Sequence, residues 1–490
     1  MGNDELWKLS LSDQAQGIAA GDWTSEELVS SVLGRIDGVN GTINAYCTLN
    51  ERALDEARRV DLRRSNGEPL GVFAGVPFSV KDLIPTSGVR TTLGSLAHRD
   101  WMPETDELAV SRLREAGAIV VGKTNTRELG YGIVTDNLLF GPTRNPWNTA
   151  MTAAGSSGGA AAAVAAGMGS LAIGSDGGGS LRVPSSLCGA VTIKPTFGLV
   201  PMYPSCRTPL RAGLDGWGSL ECIGPITPTV DDCERALTVM ARFDAADRYA
   251  VPYDGPSLRP DPRRTVGSRV FFSEDLGIAE VAPEVRKAVR DAVECAAEEW
   301  GWSLTEKSLE LPTLTQLRNA FAVTVAADSD LDGLRRLADR FPVSEDIREL
   351  VSRDWALADL VESRRLRQRA YECLAAVTAD VLITPVTATG AFPIGLRFPH
   401  DAECGVGDGR QWSPFAFLAN LTGQPAASVP ARMAVNGTPL GVQIIGRRFE
   451  DRRVLDFARA FEQASPQPRL WELCEPPSST PWIKPGLRRR

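Results

Sequence analysis

Lys81, Ser156, Ser157 and Ser180 are the residues of this 490-residue chain whose types and surroundings suit nucleophilic chemistry. The three serines lie in AAGSSGGAAAAVAAGMGSLAIGSDGGGSLRVPS, Ala153 to Ser185, between two clusters of glycine. The chain holds only two histidines, His98 and His400. A serine nucleophile needs a base to take its proton, and that base is usually a histidine. Either the serines are structural, or another residue type is the base.

Lys81 ends the apolar run VPFSVKDL. Burying an ammonium costs several kcal/mol unless it is paired or neutralised, and burial favours the neutral amine, a competent general base. Taken alone, the residue reads first as an ammonium that snorkels or pairs with Asp82. Ser156 and Ser157 stand between Gly155 and Gly158-Gly159. Glycines there permit close approach of neighbouring chain, and a serine hydroxyl both donates and accepts, as a proton relay must. The competing reading makes Ser157 the N-cap of the Ala-rich helix that comes next. In GSDGGGSLR, Gly177-Gly178-Gly179 leaves backbone N–H groups without side-chain cover before a helix starting near Ser180. Convergent amides at such a place suit an oxyanion hole, with Ser180 as attacking residue. They suit a phosphate or a plain capped turn as well.

Two other matches fail on context. GAIVVGKT, Gly117 to Thr124, fits G-x-x-x-x-G-K-[ST]. A phosphate loop must follow a strand, whereas here Ala118 to Val121 read as the strand itself, so ATP binding is rejected. GSSGG, Gly155 to Gly159, fits G-x-S-x-G with Ser157 as nucleophile and His400 downstream. That elbow requires a strand immediately before it, but NPWNTAMTAA reads as loop. His400 lies in a polar Gly-rich stretch, and His98 is out of order for this motif.

GVPFSVKDL, GKTNTRELGYG, GPTRNPWN, AGSSGGAAAAVAAG, GSDGGGSLRVPSSLCGAVTIKPTFGLVP and LTGQPAASVPARMAVNGTPLGVQIIG together resemble the amidase signature family. The resemblance spans nearly the whole chain and is densest from Gly71 to Pro201. The 24-residue interval from Ser156 to Ser180 also agrees. The resemblance implies that Lys81 is the catalytic lysine, Ser156 the bridging serine after a cis peptide with Gly155, and Ser180 the nucleophile. It places the oxyanion hole at the amides of Gly177, Gly178, Gly179 and Ser180, with Ser157, Asp176 and Arg182 in support. One departure is Gly177, where relatives often carry Thr, Ile or Ala. The implied activity is hydrolysis of small amides or anilides through an acyl-enzyme, with esterase side activity; the alternative is a carbamate hydrolase. A third reading is the A subunit of a tRNA-dependent amidotransferase. Its members usually have Arg-Gln-Pro after the nucleophile, whereas Arg182 is followed here by Val183-Pro184.

Substrate contacts are nominated from the loops that flank these motifs. Tyr131 lies in ELGYGIVTDNLLFG; Tyr203, Arg207, Arg211 and Trp217 lie after the nucleophile segment; Trp412 and Phe415 lie in QWSPFAFLANLTGQPA. Aromatics at these places suit an apolar acyl or aryl group, and core packing explains each of them as well. No cofactor or metal is expected.

The elements that must carry these residues follow from patterning. TSEELVSSVLGRI opens with Thr24 three residues before Glu27, a capping box, and the first seventy residues read as helices. From Gly71, short apolar runs alternate with helices: DELAVSRLREAG then AIVVGKT, SLCGAVTIKPT, and ADVLITPV. Near the end, SVPARMAVNGTPLGVQIIG reads as a hairpin turning at Asn436-Gly437, followed by the helix EDRRVLDFARAFEQA. The expectation is an α/β fold, a large mixed sheet covered by helices on both faces, in a single domain over residues 1–490. The proline-rich Asp244 to Arg264 reads as a linker or a long surface loop.

Composition narrows the function classes. At 43% hydrophobic and 23% charged the chain is an ordinary globular one. A net charge of −8 argues against nucleic acid as the main partner. Nine scattered cysteines, with no C-x-x-C pair, fit a reducing compartment rather than a disulfide framework. MGNDELWKLS lacks a basic segment followed by an apolar one, and the longest apolar run is short and rich in Ala and Gly. The expectation is a cytoplasmic monomer or homodimer with a small-molecule substrate and no membrane partner.

Overall fold

A computed structural model describes residues 2–205, 217–253, 257–306, 309–400 and 405–473. Eleven strands form one mixed sheet: β1 Tyr46–Leu49, β2 Pro77–Lys81, β3 Ile119–Thr124, β4 Ala172–Asp176, β5 Val191–Lys194, β6 Cys222–Thr227, β7 Arg269–Phe272, β8 Ser303–Thr305, β9 Val381–Pro385, β10 Ala426–Met433 and β11 Pro439–Ile445. Their order across the sheet is β1-β3-β2-β4-β6-β5-β10-β11-β9-β7-β8. Strands β3, β2 and β4 run parallel to one another, as do β9, β7 and β8, while the strands between pair antiparallel. Every residue of β2 to β6, β9 and β11 is buried. Strands buried along their whole length need cover on both faces, which is why they read as continuous apolar runs. The helices Gly158–Ala165 and Arg182–Cys188 pack on each other and on the sheet; Val230–Met240, Pro283–Trp300 and Asp451–Ala464 form a second packed set. This is the expected α/β architecture.

Several local expectations meet the structure directly. Thr24 and Glu27 form both bonds of the capping box at the start of the helix Ser25–Ile43. The hairpin turns at Gly437, but with positive φ at Gly437 alone, following the Gly437 N–H to Ala434 carbonyl bond. That is a type I turn closed by a left-handed glycine rather than the two-residue turn that Asn-Gly most often signals. The first seventy residues are not all helical: Tyr46–Leu49 is the edge strand β1. Four residues carry too short a pattern to register against the flanking helices. Asp244 to Arg264, of which residues 254–256 lie outside the described residues, follows the helix Val230–Met240 and precedes β7, and its last residues enter the short 3₁₀ turn Pro262–Thr265. Among the described residues no helix is long and apolar enough to cross a membrane.

The Gly158–Ala165 helix passes through the middle of the molecule with all eight residues buried. Its small side chains are what permit this. A Cβ on Gly159 would lie 2.4 Å from the Asn125 backbone N, 2.5 Å from the Asn125 carbonyl O and 2.7 Å from the Ala45 carbonyl O. Backbone cannot yield as a side chain can. Gly34, in the interior of the helix Ser25–Ile43, has nothing within 4 Å of its Cβ position. Gly159→Ala is therefore expected to lower stability by about 1–3 kcal/mol through overpacking. Gly34→Ala should raise it by about 0.5–1 kcal/mol by removing unfolded-state freedom. Thermal unfolding of the two variants beside the wild type checks both signs.

Candidate active site

Parallel β2 and β4 end side by side, with Val80 opposite Ile173. Lys81 closes β2 and is fully buried. Its Nζ lies within hydrogen-bond distance of Ser156 Oγ at 2.8 Å, Ser175 Oγ at 3.0 Å and the Ser175 carbonyl O at 3.3 Å. Asp82 turns elsewhere: its carboxylate accepts from the Thr92 N–H and hydroxyl. The snorkelling or Asp82-paired lysine is thus not what the fold builds.

Ser156 and Ser157 lie between Thr152 and the buried helix. The Gly155–Ser156 peptide is cis. Thr135 clamps this corner, its Oγ1 donating to the Ser156 carbonyl at 3.2 Å and accepting from the Gly158 N–H at 2.9 Å. A Cβ on Gly155 or Gly158 would collide with Thr135, at 2.7 and 2.4 Å, so both glycines are set by that clamp. Ser157 makes no side-chain cap; its Oγ donates to the Ser175 carbonyl at 3.2 Å, the oxygen that Lys81 also reaches. The Ser157 N–H donates to the Ser180 carbonyl at 3.2 Å, which ties the two serine segments together.

The segment after β4 is organised by one buried ion pair. Asp176 and Arg182 are both fully buried, with Arg182 Nε and Nη2 each 3.0 Å from a different carboxylate oxygen. The same carboxylate accepts the Gly179 N–H at 2.7 Å and the Leu181 N–H at 3.1 Å. Asn420 donates to the Asp176 carbonyl at 2.8 Å and to its carboxylate at 2.9 Å. Arg182 is completed by the Ala416 carbonyl, Asn420 Oδ1 and Gln443 Oε1. Burial alone would disfavour the ionised Asp176. The Arg182 guanidinium and the Asn420 amide outweigh it and hold the carboxyl well below the usual carboxylate range.

This geometry divides the expected oxyanion donors. The Gly179 N–H is spent on Asp176, so it is withdrawn from the set of four. Among the described residues the N–H groups of Gly177, Gly178 and Ser180 have no hydrogen-bond partner. The helix begins at Arg182 rather than at Ser180, because the four residues before it form the turn around the carboxylate.

Of the nominated pocket residues, Tyr131 and Trp217 meet, ring centroids 5.6 Å apart, and Trp217 rests on Gly177. Tyr203 stands apart, 39% exposed, its backbone N–H held by the buried Glu107 carboxylate. Arg207 and Arg211 lie outside the described residues. Trp412 and Phe415 are fully buried, Trp412 against Phe392 at 5.1 Å, as core packing predicts. His400 is exposed, and His98 packs on Trp101; neither is hydrogen-bonded to a site serine. Residues 119–124 of the rejected phosphate-loop match are strand β3. Sequence reading missed Ser175, Thr135, Asn420 and Gln443. Asn420 and Gln443 carried a signal, a lone amide inside the apolar runs AFLANL and GVQIIG. Among the described residues no group of three metal-ligating side chains gathers.

The family model for Amidase matches residues 27–455. The chain belongs to the amidase family. It is 35% identical to an acylamidase of Rhodococcus erythropolis, over 95% of this chain and 97% of that one. It is 34% identical to the glutamyl-tRNA(Gln) amidotransferase A subunit of Syntrophus aciditrophicus, over 94% and 98%. The fold is similar to the crystal structure of a bacterial aryl acylamidase of the amidase signature family, with TM-score 0.86, 26% identity, and coverage of 94% and 96%.

The ion pair of this amidase generates a prediction with a definite sign. With Asp176 held below its unfolded value of about 3.9, its contribution is complete above about pH 4 and lost as pH falls toward the depressed folded value. Arg182→Met leaves the carboxylate buried without its guanidinium, at a cost of about 3–5 kcal/mol at neutral pH. In that variant the ionised form is the costly one, so stability falls as pH rises above about 4. Thermal unfolding at pH 5 and pH 8 should find the variant less stable at pH 8, and Asp176→Asn in the same background should remove the difference.

Proposed function

We propose that this amidase is a serine amidohydrolase of small amides and anilides, using Ser180 as nucleophile, Ser156 as relay and Lys81 as base. The observation that carries the reading is the buried Lys81 Nζ at 2.8 Å from Ser156 Oγ. A neutral amine has two N–H donors and one lone pair. With the two donors on the Ser175 oxygens, the lone pair is left for the Ser156 hydroxyl. Ser156 passes its proton to Lys81 as it takes the proton of Ser180, and Ser180 Oγ attacks the carbonyl carbon. The oxyanion accepts from the amides of Gly177, Gly178 and Ser180, which have no partner among the described residues. The proton then returns through Ser156 to the leaving amine as the C–N bond breaks. Water hydrolyses the acyl-enzyme along the same relay, restoring Ser180 and the neutral lysine. A carbamate carbonyl admits the same attack. We place the enzyme in the cytoplasm, acting on a small molecule.

A second reading is the glutaminase component of an amidotransferase, favoured by the likeness to the amidotransferase A subunit of Syntrophus aciditrophicus. Against it stands Val183 after Arg182, an apolar side chain packed on Gly179.

A fluorophosphonate probe, mapped by peptide mass spectrometry, should label Ser180 in the wild type and not in Lys81→Ala. Turnover of amide substrates by Lys81→Ala or Ser156→Ala should fall by about 10²–10⁴-fold. Wild-type activity should rise with pH as the base loses its proton, and Lys81→Met should lose that rising limb. A label on Ser157 that survives loss of Lys81 overturns the mechanism. Glutamine hydrolysed in preference to acetanilide, phenylacetamide and simple carbamates would establish the second reading.

A further inference from the structure

The two glycines whose N–H groups have no partner among the described residues are also two on which aromatic rings rest. A Cβ on Gly177 would lie 2.0 Å from Trp217 Cε3, and a Cβ on Gly178 would lie 2.6 Å from Phe321 Cζ. Trp217 meets Phe321 edge-on, with centroids 5.9 Å apart and planes at 90°, and Phe321 meets Phe417 at 5.5 Å. With Tyr131 on its other side, Trp217 is the centre of a four-ring wall over the glycine segment. Trp217, Tyr131 and Phe417 are almost wholly buried, while Phe321 is partly exposed.

The wall is held before any substrate arrives. The Trp217 carbonyl accepts the N–H groups of Leu220 and Glu221. Ser219 donates its N–H and hydroxyl to Asp328 at 3.2 and 3.0 Å, and Arg367 donates to the Ser219 hydroxyl and carbonyl at 3.0 and 3.3 Å. Tyr131 and Ser329 hydroxyls are 2.8 Å apart. Tying the ring-bearing segments from three directions fixes the rings' position relative to the amides.

We propose that Trp217, seated on Gly177, is a specificity-determining residue that selects substrates with a planar apolar substituent beside the scissile carbonyl. This rests on the serine mechanism above, because it takes the amides of Gly177 and Gly178 as the site of the carbonyl oxygen. Rigid ring faces and edges recognise a flat apolar group by contact area and quadrupole geometry. None of the four side chains carries a charge, so the wall offers a substrate apolar contact area rather than an ion pair. The absence of a side chain at Gly177 has its reason here: the volume that a Thr, Ile or Ala would fill belongs to the indole. Gly177 and Trp217 are one coupled feature, a small residue exchanged for a large one across the same contact.

The test compares kcat/KM for paired substrates in the full-length wild type, Trp217→Ala, Phe321→Ala, Gly177→Ala and the double variant Gly177→Ala/Trp217→Ala. Acetamide against phenylacetamide reads the acyl side, and N-methylacetamide against acetanilide reads the amine side. The wild type should favour the aryl member of at least one pair, and Trp217→Ala should lower that ratio by about 10–200-fold, chiefly through KM. A fall in one pair assigns the wall to that side of the scissile bond. Gly177→Ala alone should lose activity toward every substrate, because its Cβ displaces the indole or the amide. The double variant should recover turnover of acetamide relative to Gly177→Ala without recovering the aryl preference. Phe321→Ala, at a partly exposed position, should lower the same ratio and covers the case in which Trp217→Ala fails to fold. Equal losses on both members of both pairs, with Ser180 still labelled by the fluorophosphonate probe, overturn the wall's selectivity and leave the mechanism standing. A wild type whose Ser180 is not labelled and which hydrolyses no amide overturns the mechanism, and this proposal with it.

Discussion

The Asp176 carboxylate sits at the point where β4 stops being a strand, and the chain beyond it is shaped by the need to satisfy that charge. A fully buried carboxylate is tolerable only if its oxygens are filled with donors. Here the donors are Arg182, Asn420 and two backbone N–H groups of the segment between Asp176 and Arg182. Wrapping Gly179 and Leu181 around the carboxylate turns the chain so that the amides on either side of Gly179 are left over. The residues that do no wrapping are the ones that can bind an anion. Arg182 in turn reaches a carbonyl and two amide oxygens drawn from a helix and from β11, so the far half of the sheet is fastened to the nucleophile segment. The pair adds little net stability against an apolar alternative of equal volume; its consequence is a fixed geometry.

Glycine does different work at different positions of this site. At Gly155 and Gly158 it lets Thr135 approach the serine corner, and at Gly159 it lets a helix pass between two stretches of backbone. At Gly179, φ of +113° makes the turn around the carboxylate. At Gly177 and Gly178 the conformations are ordinary, and the missing side chains make room for rings instead. One run of three glycines thus answers two unrelated demands, one of backbone conformation and one of space.

Much of this is legible in the sequence. Lys81, Ser156 and Ser180 stand in the motifs that carry the resemblance to the family, and glycine-bounded apolar runs alternating with helices point to the α/β class. The illegible parts depend on contacts between distant segments. Ser175 looks like one more serine of a polar run, and only the pairing of β2 with β4 brings it to Lys81. The engagement of Gly179 cannot be told from that of its neighbours, because the choice is made by the direction in which Asp176 points. Ser157 reads as a cap since the letters fit one, yet its hydroxyl goes to a carbonyl 18 residues on. The edge strand β1 is hidden by its brevity between helices, and its partner β3 lies more than seventy residues away.

In the proposed role of base, a lysine suits a site this deep for a physical reason. Ser156 and Ser175 offer it hydroxyl and carbonyl oxygens, and the long flexible stem lets the amine reach them from the end of β2 while the strand stays in register. Burial in a low-dielectric interior works against an ammonium and toward the neutral amine, the form that the proposed relay requires. In the proposed mechanism the serine oxygens around Nζ are already placed to accept from the ammonium that forms, and no water need reorganise. The carboxylate that would stabilise a charged lysine at rest is kept away: Asp82 is turned to Thr92, and Asp176 is saturated by Arg182 and Asn420. On the proposed mechanism, the burial of Lys81 and the saturation of Asp176 by Arg182 and Asn420 serve one end: each works against a lysine held charged at rest.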